Sequence, residues 1–157
     1  MANLFLASEI LEMNIAEEQN GAAFYQALSE SAQSTALKKA AHEIAEQEMM
    51  HEKRFAQLLA EVEHREPEES YPGEFDAYIQ SLMRFKMFPD KESAIAEANQ
   101  LDDIPAVEYA IKTEQATLNL LNELKKHIDS HVIIDLTINE EKDHIEQLNQ
   151  ILKSIKP

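Results

Sequence analysis

Two short segments of this 157-residue chain each place a carboxylate and an imidazole three residues apart: Glu48-Met49-Met50-His51 and Glu141-Lys142-Asp143-His144. On a helix, that spacing brings both groups to one face. Both pairs lie inside apolar stripes, where an ionised side chain is costly unless something neutralises it. A further carboxylate precedes each pair on an earlier helical segment, Glu18 for the first and Glu114 for the second. Two Glu helices and two Glu-x-x-His helices facing one core supply the donor set of a di-iron or di-manganese site. The expected ligands are therefore Glu18, Glu48, His51, Glu114, Glu141 and His144. Four glutamates carry enough negative charge to balance two divalent ions. Carboxylate with imidazole suits iron or manganese, with zinc as the alternative. Glu48 and Glu141 are the expected bridging ligands, with His51 and His144 terminal and Glu18 and Glu114 completing the set.

A single Glu-x-x-His carries little weight in so acidic a chain. Glu61-Val62-Glu63-His64 is another, but it lies about 13 residues beyond Glu48, roughly 20 Å along a helix, with no partner at matching depth. It reads as solvated surface. Tyr25 falls seven residues after Glu18 on the same face, where its hydroxyl could bond near the site or relay an electron. A core tyrosine with a satisfied hydroxyl is the plainer alternative. Asn14, one turn before Glu18, is a candidate hydrogen-bond partner for the ligands. His42, His127 and His131 read as surface or helix-end residues, and Met49, Met50, Met83 and Met87 as core or contact residues.

The elements that must carry these groups repeat. Ile15-Ala-Glu-Glu18-Gln19 matches Ile111-Lys-Thr-Glu114-Gln115 at an offset of 96, and Glu48/His51 matches Glu141/His144 at an offset of 93. Two helix pairs, each supplying half a site, place the four ligand-bearing turns at similar depth. The periodicity predicts long helices over about 8–30, 34–65, 103–127 and 130–154. Ser8 is the expected cap of the first and Ser34 or Thr35 the start of the second. Pro67 ends the second helix, residues 67–73 form a turn-rich break, and the acidic run Glu66, Glu68 and Glu69 reads as a solvated turn. Short helices are expected over about 74–88 and 90–99, the latter capped by Asp90. Their apolar residues mark a crossover that packs on the bundle and returns the chain. The last helix follows a break at Asp129-Ser130. The fold class is all-α, a four-helix bundle with a long helical crossover between the second and third long helices, built as one domain over 1–157.

Composition agrees with that class. The chain has two glycines and five prolines, and helix-favouring residues are plentiful. It has no cysteine, which excludes disulfides and thiolate-ligated iron on this chain and fits a reducing compartment. Thirty acidic against 14 basic residues give a net charge of −16, which argues against nucleic acid or an anionic membrane as partner. No apolar run reaches the roughly 18–20 residues of a membrane span, so a cytoplasmic protein is expected.

Taken together, these residues resemble a known family. Ala16-Glu17-Glu18 followed by Phe24-Tyr25, then Glu48-Met-Met-His51, Glu114 and Glu141-Lys-Asp-His144, are similar to the ferritin-like rubrerythrin group. So are Phe88-Pro89-Asp90 and Ala106-Val-Glu-Tyr-Ala110, and the similarity spans nearly the whole chain. The resemblance implies a ferritin-like bundle with a carboxylate-bridged pair of irons, peroxide reduction or dioxygen-dependent iron chemistry, and assembly as a homodimer or larger oligomer. Two departures stand out. Full rubrerythrins carry a cysteine-ligated rubredoxin domain, whereas this chain lacks cysteine and would draw electrons from a separate donor protein. They also carry a further glutamate one turn before the third-helix ligand, where this chain is apolar near Ile111. The leading expectation is an oxidoreductase reducing hydrogen peroxide or dioxygen at two iron ions. The alternative is a non-enzymatic iron-binding, storage-related or metal-sensing bundle. An apolar cavity leading to the metals would favour an organic substrate instead.

Overall fold

The fold comes from a computed structural model that describes residues 4–62, 69–128 and 131–157. Every element in it is helical: α1 (Leu4–Ser31), α2 (Thr35–Glu61), α3 (Glu74–Leu82) with a 3-10 turn (Met83–Phe85), α4 (Lys91–Gln100), α5 (Asp103–Leu124) and α6 (Val132–Ile155). α1 packs along α2 and α5 along α6, and the pairs join through α1 against α5 and α2 against α6. This is the ferritin-like bundle. α3, the 3-10 turn and α4 form the crossover, and α4 lies on α1.

That placement explains the sequence of α1. The helix is covered by α2, α5 and the crossover, so buried residues such as Leu6, Ile10, Leu11, Phe24 and Leu28 do not keep to a single stripe. α2 is more one-sided. Its buried alanines at 40, 41 and 45 allow a close approach to α1, and its outer face is mostly polar, Met49 and Met50 apart.

The apolar core is divided in two. One cluster gathers Phe24, Tyr25, Leu28, Leu37, Ile44, Phe88, Leu148 and Ile151. The other gathers Ile10, Leu11, Phe55, Leu58, Leu118, Leu121 and Ile138. On each long helix the six acidic and imidazole residues fall between these two sets, so a polar layer crosses the bundle at mid-height.

Several helix ends differ from the sequence reading, each for a local reason. α1 begins at Leu4 rather than near Ser8, because buried Leu6 and Ala7 extend its packing face. Ser8 is therefore inside the helix. α2 starts as expected for a Ser34 cap, whose side chain accepts from the Leu37 amide, but stops at Glu61 because Val62 is extended. His64, Pro67 and the Asp129-Ser130 break lie outside the described residues. The helix expected over 74–88 is shorter: α3 gives way to the 3-10 turn, and Lys86 is extended.

That early stop lets side chains fasten the crossover. The Met87 amide donates to Glu17 Oε2 at 3.0 Å, and Tyr109 Oη donates to the Met87 carbonyl at 3.3 Å. Phe88 is buried against Phe24 and Tyr109. Gly73 precedes α3 with φ of 85°, a left-handed conformation that favours glycine. Glu69, expected as solvated surface, accepts from the Gly73 and Phe75 amides and holds this turn.

Asp90 caps α4 by accepting from the Ser93 amide at 2.7 Å. Asp103 reaches back to accept from the Gln33 and Ser34 amides, tying the start of α5 to the α1–α2 turn. α5 ends at Leu124, and His127 follows in a turn where its Nε2 lies 2.9 Å from Tyr78 Oη. α6 begins at Val132, with His131 accepting from the Ile133 amide through Nδ1. Met49 and Met50, expected to pack, are 40% and 49% exposed on the outer face of α2.

Candidate metal centre

Each of the six residues comes from the middle of a long helix, where the backbone is fully hydrogen-bonded and the side chain alone is free to act. α1 supplies Glu18, α2 Glu48 and His51, α5 Glu114, and α6 Glu141 and His144. All six are buried, none more than 4% exposed. Their donor atoms form two groups, Glu18, Glu48, His51 and Glu141 in one and Glu48, Glu114, Glu141 and His144 in the other. Within each group the atoms lie within 4.8 Å of one another.

Glu48 and Glu141 belong to both groups, and each directs one oxygen to each histidine. Glu48 Oε2 is 3.7 Å from His51 Nδ1, and its Oε1 is 3.4 Å from His144 Nδ1. Glu141 Oε1 is 2.9 Å from His51 Nδ1, and its Oε2 is 3.1 Å from His144 Nδ1. Glu18 faces only His51, at 3.5 Å, and Glu114 only His144, at 3.7 Å. The imidazoles lie roughly parallel with ring centres 5.8 Å apart. An approximate two-fold relation therefore holds in space as it does in the repeat.

The electrostatics follow from crowding without water. Burial opposes charge on both imidazoles, yet the surrounding carboxylates hold both protonated, His144 up to about 12 and His51 higher still. Burial, then repulsion from Glu48 and Glu141, pushes Glu18 well above the usual carboxylate range. Burial and the same two neighbours do this to Glu114. Glu48 also suffers burial, but hydrogen bonds from Glu18, His144 and His51 pull it far below that range. Glu141 is lowered as well: hydrogen bonds from Glu114, His144 and His51 outweigh burial and the charge on Glu48.

Satisfaction is incomplete. Both Glu18 oxygens, His51 Nδ1 and Glu141 Oε1 are buried without a well-directed hydrogen bond, although the last two atoms are only 2.9 Å apart. The donor that faces Glu18 is His51 Nδ1, 3.5 Å from its Oε2, and as a neutral acid Glu18 offers its own proton to Glu48. Buried groups in this condition call for an occupant that accepts many lone pairs at once. Asn14, fully buried one turn from Glu18, also has no partner for either amide atom. Tyr25 Oη donates to Glu114 Oε1. Its phenol is pushed well up by burial and then by the charges of Glu114 and Glu48, so the proton stays on oxygen.

Three residues escaped the sequence reading. Gln47 Oε1 accepts from His144 Nε2. Glu140 Oε2 lies 2.7 Å from His51 Nε2 and 2.6 Å from Arg54 Nη1. Gln47 and Glu140 each directly precede the glutamate of a Glu-x-x-His pair. The repeat aligned them, but both lie toward the outer face and read there as ordinary polar residues. A cavity of about 200 Å³ lies beside Glu17, lined also by Met13, Ala16, Met83 and Leu120, and includes none of the six site residues.

Comparison with known proteins decides the family. Residues 9–103 match the rubrerythrin family model. The chain belongs to the rubrerythrin family. Within the rubrerythrin match fall Glu18, Glu48 and His51, whereas Glu114, Glu141 and His144 lie beyond it and join the site through the fold. The chain is also similar to a solved structure from Thermotoga maritima described as a ferritin-like diiron-carboxylate protein. The two share 23% identity with a TM-score of 0.72, over 99% of this chain and 97% of that one, a likeness of fold. None of the curated proteins compared with the chain matches it. Among the described residues, no helix is long and apolar enough to cross a membrane.

Proposed function

We propose that this rubrerythrin-family chain is a di-iron carboxylate oxidoreductase that reduces hydrogen peroxide or dioxygen with electrons from a separate donor protein. The observation that carries the reading is the sharing of Glu48 and Glu141 by two otherwise separate groups of buried donors. Repulsion among carboxylates this close is relieved by cations, and the orphaned Glu18, His51 and Glu141 atoms are where coordination would satisfy them. One ion would be held by Glu18 and His51, the other by Glu114 and His144, and both by Glu48 and Glu141. When bound, paired irons supply redox chemistry toward peroxide or dioxygen that no side chain here can provide.

The chain's own contribution is positional and electrostatic. The two apolar clusters above and below the polar layer exclude water from it. Tyr25 orients Glu114 by donating to one of its oxygens and keeps a proton beside the site. Gln47 and Glu140 engage the outer nitrogens of His144 and His51, leaving both Nδ1 atoms facing the carboxylates.

Anaerobic ferrous loading followed by rapid mixing with peroxide tests the reading. It expects about two irons per chain, fast oxidation, and repeated turnover when a reductant is supplied. Chains that bind no iron, or whose iron is not oxidised, would refute it. A single slow oxidation that no reductant renews would favour the iron-binding, storage-related or sensing alternative.

A further inference from the structure

The two halves of the site are built on equivalent backbone positions but are not chemically equal. Gln47 precedes Glu48 on α2, and Glu140 precedes Glu141 on α6, at the same offset of 93 as the ligand pairs. The structure crosses them. Gln47 on α2 accepts from His144 of α6, and Glu140 on α6 accepts from His51 of α2. Each Glu-x-x-His helix therefore backs the histidine of the other, one with a neutral amide and one with a carboxylate.

An imidazole that donates its far N–H to a carboxylate is a more electron-rich ligand at its near nitrogen than one that donates to an amide. Arg54 binds the same Glu140 oxygen and offsets part of this effect. The carboxylate oxygen touches the ring nitrogen, however, and the guanidinium lies one step further out, so the nearer charge dominates. Arg54 also fixes Glu140, which with Arg54 is about three-quarters buried, whereas Gln47 is exposed.

A second difference acts in the same direction. Tyr25 donates to Glu114, drawing electron density from the terminal carboxylate on the His144 side. Its counterpart in the repeat is Leu121, which cannot donate, and Glu18 on the His51 side receives no well-directed hydrogen bond and faces only the ring nitrogen of its own histidine, at 3.5 Å. One half thus has an electron-rich histidine and an undiminished carboxylate. The other half has neither.

We propose that the two metal positions are unequal, with the Glu18/His51 position taking the first divalent ion and holding it more tightly, because Glu140 rather than an amide backs its histidine. The inference rests on the reading of the six residues as a di-metal site. Two binding steps are not enough to establish it, because two cations sharing Glu48 and Glu141 repel one another even in a symmetric site. The variants decide.

Anaerobic titration of the metal-free full chain with cobalt(II), followed by calorimetry and visible absorbance, gives both step constants without any turnover. Glu140→Gln should weaken the first step by about 10–100-fold and leave the second little changed. Gln47→Glu should leave the first step within about twofold and tighten the second by about 10-fold or more. The second variant keeps the test decisive if the first disturbs Arg54 and the fold. If Glu140→Gln weakens only the second step, or neither variant moves either constant, the inequality is overturned while the di-metal reading stands. If the wild-type chain binds no cobalt in the site, the di-metal reading fails and takes the inequality with it.

Discussion

Loading the site with metal should expel about four protons per chain. Before metal enters, the six buried groups must neutralise one another. Glu48 and Glu141 are held ionised, and both imidazoles are held protonated. Glu18 and Glu114 are pushed up far enough by burial and by the neighbouring carboxylates to remain neutral acids. Two positive rings then balance two negative carboxylates. Coordination requires neutral rings and four ionised carboxylates, so each ring and each acid gives up one proton, about four in all. Each released proton contributes about one decade per pH unit to the apparent constant. The two-ion binding constant should therefore rise by up to about four decades per pH unit near neutrality, roughly 5 kcal/mol. Anaerobic calorimetry with zinc or cobalt(II) in buffers of different protonation enthalpy measures the number directly, as the slope of observed heat against buffer enthalpy. A release of two protons or fewer would refute the reasoning, because the acids would then already be ionised or the rings already neutral.

The same groups fix how metal-free stability depends on pH. His51 and His144 bind protons more tightly folded than at their unfolded value of 6.5, so their contribution is complete below that value and is lost as pH rises toward the folded value, about 12 for His144. Glu18 and Glu114, also raised, act in the same direction above 4.5, so the metal-free chain should melt lower at pH 9 than at pH 6.5 and the metal-loaded chain should not. A metal-free melting temperature that rises over that window contradicts the assigned protonation. Tyr25→Phe leaves Glu114 Oε1 without its donor, at a cost of about 1–3 kcal/mol and roughly 2–4 °C of melting temperature per kcal/mol. An unchanged melting curve would mean that the hydroxyl does not hold that carboxylate. Phe24→Ala removes the ring that Tyr25, Phe88 and Tyr109 pack on, and should cost about 3–5 kcal/mol in chemical denaturation. A loss below about 1 kcal/mol would show that the crossover is not fastened there.

The convergence of the six residues was legible because two independent periods agree. The three-residue spacing sets each pair on one face, and the apolar neighbours at helical spacing turn that face inward. The long helices were legible for the same reason, and the crossover through its apolar content. Their ends were less so, because contacts made elsewhere decide them. Leu6 and Ala7 extend α1 past the expected Ser8 cap by packing into the core. The Met87 backbone leaves the helical path to meet Glu17 and Tyr109. Gln47, Glu140 and Arg54 were missed because their role depends on the register between α2 and α6. A single strand of text shows their alignment in the repeat but not that they cross. Met49 and Met50 show the converse, since apolar character alone did not place them inside.

Anomalous diffraction at the iron edge from crystals of the iron-loaded chain tests the central claim most directly. Two peaks are expected, about 3.5–4 Å apart. One should lie against Glu18 and His51, the other against Glu114 and His144, with Glu48 and Glu141 touching both. A loaded chain whose iron scatters from anywhere else, while these six side chains remain bonded only to one another, would contradict it.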